Sequence, residues 1–79
     1  MIDSDHIQSA IDTEDVIAFS YPSSVDGQPV RRTLSPYVLE SDGMILKGWD
    51  HGREQVRRYA LNKIDSVDVL FDEEFVQPV

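Results

Sequence analysis

Seventy-nine residues supply one domain and one small core, which buries only about 60 to 65% of the surface of the unfolded chain. Cysteine is absent, so disulfides, thiolate metal sites and a cysteine nucleophile are excluded. The net charge of −8 opposes contact with a polyanion, no apolar run reaches the roughly 20 residues of a membrane helix, and the early Asp3 and Asp5 do not fit a secretory signal. A cytoplasmic location without membrane contact is the expectation.

The first element is a short helix over about residues 4–13, with Ser4 as its cap and Ile7, Ala10 and Ile11 on one apolar stripe. Asp3 and Asp5 favour its N-terminus through the helix dipole. Three apolar residues cannot hold such a helix alone, so it must lie on other elements. Five strands follow: Val16 to Tyr21, Val30 to Glu40, Met44 to Asp50, Glu54 to Leu61 and Ser66 to Phe71. Asp26-Gly27, Asp42-Gly43 and His51-Gly52 punctuate them as turns. Ile17, Phe19 and Tyr21 share one face of the first strand, and Val67, Val69 and Phe71 one face of the last, the alternation of a half-solvated sheet. Pro36 cannot donate to a ladder, so the second strand is bent there or lies at an edge. Gly48 inside a strand signals a kink or a close backbone approach. The expected fold is mainly β (α+β), a five-stranded antiparallel, partly open barrel over about residues 16–71, preceded by the helix and followed by a loose tail over 72–79.

Charge is segregated along this order. Residues 1–30 hold six acids and no base, residues 64–79 five acids and no base, and residues 31–63 all seven bases with four acids. A local anion site on an acidic body is the consequence. Its candidates are Arg32 and Tyr37, then Trp49, His51 and Arg53, then Arg57 and Tyr59, with Lys63 beyond. Guanidinium groups grip phosphates bidentately, and aromatic faces stack unpaired bases at about 1 to 3 kcal/mol each. The same residues also fit a structural role, with the arginines solvating a strand and the aromatics packing the barrel.

Three segments carry a family resemblance: RTLSPYVL (Arg32 to Leu39), GMILKGWDHGRE (Gly43 to Glu54) and VRRYALNKI (Val56 to Ile64). Together they resemble the WYL domain pattern, in which an arginine and proline strand leads to a W-Y-L hairpin and then to an R-x-F-x-L-D-R-I stretch. Met44 and Ile45 stand where the family has tryptophan and tyrosine, with Leu46 kept; Asn62 and Lys63 replace aspartate and arginine. The resemblance implies a Sm-like, SH3-like barrel and a regulatory module, commonly found after a DNA-binding winged helix, whose basic pocket takes nucleic acid or nucleotides. It places Arg32, Arg57 and Lys63 at the family's basic positions and His51 and Arg53 in its variable basic loop. With no helix-turn-helix of its own, the sequence is not expected to read duplex DNA.

Other chemistry finds little support. His6 and His51 are too far apart in the chain for a zinc motif, no nucleophile elbow or triad spacing is present, and the glycines form neither GxGxxG nor a Walker loop. The expectation is a non-catalytic module without metal or cofactor that binds single-stranded nucleic acid or a nucleotide. The alternative is a protein-interaction or oligomerisation module, in which a homodimer or a protein partner occupies the strand edges.

Overall fold

The computed structural model describes residues 4–78; Asp3 and Val79 lie outside them. The elements are α1 (Ser4–Asp12), β1 (Val16–Pro22), β2 (Pro29–Glu40), β3 (Ile45–Asp50), β4 (Gln55–Ala60), a 3-10 turn (Leu61–Lys63) and β5 (Asp65–Leu70). All strand pairs are antiparallel, and the sheet runs β4-β3-β2-β1-β5. β4 and β5 do not pair, so the sheet is open. It nevertheless curls, because the Ala60 N–H donates to the Tyr21 hydroxyl at 2.9 Å and brings the end of β4 to β1.

The strand registers define two faces. On the inner face lie Ile17, Phe19 and Tyr21 of β1, Arg32 and Leu34 of β2, Leu46, Gly48 and Asp50 of β3, and Arg57 and Tyr59 of β4. Ile7 and Ala10 of α1 close one end of this face and form one core with Phe19, Leu34, Leu46, Tyr59 and Ile64. Trp49, Lys47, Val56 and Arg58 alternate onto the outer face.

β2 runs between β1 and β3, so Pro36 is not at an edge. The other consequence of that proline holds instead: the β2–β3 register shifts between Pro36 and Val38, leaving Tyr37 unpaired in the ladder as a bulge. Opposite Pro36, a Cβ on Gly48 would stand 2.4 Å from the Ser35 carbonyl oxygen and 2.9 Å from a Leu34 side-chain carbon, so the close approach expected of this glycine is real.

Two expectations need correction. β1 is not half-solvated, because Val16 and Ala18 are buried on its outer face as well as Ile17 and Phe19 on its inner one. Residues 72–78 do not hang loose either. The Val76 N–H donates to Ser35 Oγ at 3.0 Å, the Tyr37 hydroxyl donates to the Val76 carbonyl at 2.6 Å, and Gln77 donates to Glu14 at 2.8 Å. Phe75 packs edge-on against Tyr37 with ring centroids 5.9 Å apart.

Candidate functional site

The most unusual feature of the inner face is a buried carboxylate. Asp50 ends β3 with 1% exposure. Its Oδ1 accepts the N–H groups of Gly52 at 2.9 Å and Arg53 at 3.1 Å, which ties down the 51–54 hairpin, and its Oδ2 accepts the hydroxyl of Tyr59. Three donors on one carboxylate satisfy a group that would otherwise be costly to bury. Tyr59 is held in turn by edge-on packing with Phe19 at 5.2 Å and Tyr21 at 4.8 Å. Burial, the bond to Asp50 and the charge of Asp50 push the Tyr59 hydroxyl up to about 12, against an opposing pull from Arg32 and Arg57. Both guanidinium groups therefore stand near this hydroxyl, on the same inner face.

Their surroundings differ from those of Arg31 and Arg58. Arg31 pairs with Asp68 and also donates to the Ser66 carbonyl, while Arg58 pairs with Glu40 at 2.7 Å and holds that carboxyl below its ordinary range. Among the described residues neither Arg32 nor Arg57 has an ion-pair partner, and the Nε of Arg32 is buried without a hydrogen-bond partner. Arg32 is thus an inward-facing guanidinium with one donor left unmet, which is costly unless an acceptor reaches it.

The residues expected to act together are divided between two faces and two further positions. Arg32, Arg57 and Tyr59 share the inner face, but Tyr59 is 4% exposed and packed by two aromatic rings, so it anchors Asp50 instead of offering a face to a base. Tyr37 and Trp49 lie on the outer face, where they line a 260 Å³ cavity with Lys47, Val56 and the tail residues 76–78. Burial raises the Tyr37 hydroxyl above its ordinary value. His51 and Arg53 sit in the β3–β4 hairpin. Lys63 lines a separate 230 Å³ cavity with Tyr21, Asp65 and the β1–β2 loop.

Sequence reasoning missed Asp50, Ser35 and Tyr21. For Asp50 the signal was present, because period two places it with Leu46 and Gly48 on the inward face. Ser35 Oγ lies 2.7 Å from His51 Nε2, the spacing of a nucleophile and its base. The resemblance to a catalytic pair ends there. Ser35 is fully buried, its oxygen also accepts the Val76 N–H, and the neighbouring Asp50 is engaged by Tyr59 and the hairpin amides.

A family model described as WYL domain matches residues 4–69. Among solved structures, the chain is similar to the proteasome accessory factor B/C (PafBC) of Arthrobacter aurescens, with 27% identity and a TM-score of 0.78. The likeness covers 94% of this chain and 12% of that one, so this chain spans a small part of the longer protein. No curated protein sequence matches.

Proposed function

We propose that this chain, which belongs to the WYL domain family, is a non-catalytic regulatory module that senses an anionic, nucleic-acid-like ligand at Arg32 and Arg57. The ligand class is single-stranded DNA or RNA, or a nucleotide, and the setting is the cytoplasm. On this reading the curled sheet with its N-terminal helix is the Sm-like, SH3-like barrel that the family implies. One observation carries the proposal: two guanidinium groups face inward without an acidic partner among the described residues, and one of them holds a buried, unmet Nε donor. A phosphate accepts from both edges of a guanidinium and offsets the cost of keeping that charge partly desolvated. Arg53, in the hairpin that Asp50 ties down, is a further cation of this reading, and the buried Asp50–Tyr59 pair joins β3 to β4, the strand that carries Arg57.

The test is fluorescence anisotropy of a labelled single-stranded oligonucleotide, because Trp49 reports from the opposite face. Arg57→Ala weakens binding across sequences and lowers the salt slope by about 0.7 for each phosphate that is no longer neutralised. Arg31→Ala, which removes an arginine engaged by Asp68, leaves that slope unchanged. Equal affinity and slope for Arg57→Ala and the unaltered chain remove the role assigned to Arg57.

A further inference from the structure

The outer face carries a second site that the inner-face arginines do not explain. Ser35, Tyr37, Trp49 and Lys47 form a groove, and residues 75–78 of the same chain lie in it. Its recognition is directed mainly at backbone. Ser35 Oγ accepts the Val76 N–H at 3.0 Å, and the Tyr37 hydroxyl donates to the Val76 carbonyl at 2.6 Å, so one residue of the tail has both main-chain groups bound by side chains. Two features of the sheet aim these groups. The bulge beyond Pro36 frees Tyr37 from the ladder, and the His51 ring holds Ser35 Oγ at 2.7 Å. Main-chain recognition of this kind works for any extended segment that presents the same two groups.

Side chains add selectivity. Tyr37 meets Phe75 edge-on at 5.9 Å, which favours an aromatic residue just before the bound one. Lys47 lines the groove and has no ion-pair partner among the described residues, while the segment leading into the groove carries Asp72, Glu73 and Glu74. The 260 Å³ cavity left beside Val76, Gln77 and Pro78 shows that the tail does not fill the space between Trp49 and Val56. Val56 itself is 44% exposed.

We infer that this groove is a peptide-binding site that accepts, in trans, an extended acidic segment of a partner protein with an aromatic-aliphatic pair, and that the chain's own tail is its resident occupant. The tail competes with the incoming segment at the millimolar effective concentration of a short tether, so the site opens fully only when the tail is loosened. This reading is independent of the anion site, which lies on the other face.

The test uses the full chain with substitutions in the tail, which leave the groove intact. Val76→Pro deletes the N–H that Ser35 accepts, and Phe75→Ala deletes the aromatic packing on Tyr37. The probe is a synthetic peptide with the sequence of residues 72–79, titrated while amide and indole N–H resonances are followed by NMR. The expected result is a saturable shift of the Trp49 indole and of the Ser35 and Tyr37 amides in either variant, at least tenfold tighter than in the unaltered chain. The same peptide with proline at the Val76 position binds at least tenfold more weakly, and Tyr37→Phe introduced alongside Phe75→Ala weakens the natural peptide. If the tail resonances stay in place in both variants, or if millimolar peptide shifts none of the groove resonances once the tail has moved, the inference is wrong. Concentration-dependent dimerisation of the unaltered chain, abolished by Val76→Pro, would overturn it in favour of tail exchange between two copies.

Discussion

Tyr59→Phe removes one oxygen atom and isolates the contribution of the buried carboxylate. The ring stays, and with it the packing on Phe19 and Tyr21, so no cavity larger than a hydroxyl is created. What disappears is the donor to Asp50 Oδ2, while Oδ1 keeps the Gly52 and Arg53 amides. A hydrogen bond to a charged group contributes about 1.5 to 3 kcal/mol, and a chain of 79 residues has a total stability of roughly 4 to 12 kcal/mol. The substitution therefore removes a large fraction of the whole. The assay is equilibrium urea unfolding followed through Trp49 fluorescence, with an unchanged slope and an earlier midpoint as the expected pattern. A double-mutant cycle with Asp50→Asn gives a coupling of about 1 kcal/mol or more. The pH dependence has a definite sign. Folded Tyr59 keeps its proton up to about 12 whereas an unperturbed tyrosine loses it near 10.0, so the hydroxyl's contribution is complete below pH 10 and is lost as pH rises from 10 to 12. The stability gap between the unaltered chain and Tyr59→Phe accordingly narrows across that window. A loss under about 0.5 kcal/mol at neutral pH, or a gap that widens with alkali, refutes the assignment.

Gly48→Ala forces a Cβ toward the Ser35 carbonyl and Leu34, and thermal unfolding registers an overpacking loss of about 1 to 3 kcal/mol. Arg31→Ala breaks an ion pair whose side chains are 42% and 69% exposed, so it costs no more than about 1 kcal/mol in the same assay and less at high salt. Tyr37→Phe releases the Val76 carbonyl, and limited proteolysis cuts within residues 72–78 faster while the strands stay protected.

The strands were legible because their signals are local. β-branched runs, period-two alternation and Asp-Gly or His-Gly turns place every strand end within about a residue of its observed position. Pro36 was legible as a break in the ladder but ambiguous in kind, since a bulge and an edge place the same demand on a residue without an N–H. For the candidate site, the sequence names residues but does not say how the fold groups them. Alternation within one strand separates Trp49 from Asp50, yet deciding that Arg57 shares a face with Asp50 requires the β3–β4 register, which the four-residue hairpin sets. The tail was illegible because nothing periodic in residues 72–78 signals docking. Its partners, Ser35 and Tyr37, are 41 and 39 residues away from Val76, and they meet it only once β2 has bulged.

The ladder itself implies an order of assembly. β1 with β2, β2 with β3, and β3 with β4 are chain neighbours joined by short loops, and each can zip from its own turn. β5 alone must find β1 across most of the chain, with Val16 opposite Leu70 and Ser20 opposite Asp65. That closure costs loop entropy before any of its ladder bonds form, so it sets the pace of folding. Being an edge strand with mostly exposed residues, β5 is also the first to give up its amide protons to exchange, while the β2 amides around Leu34, where the ladder passes from β1 to β3, are the last.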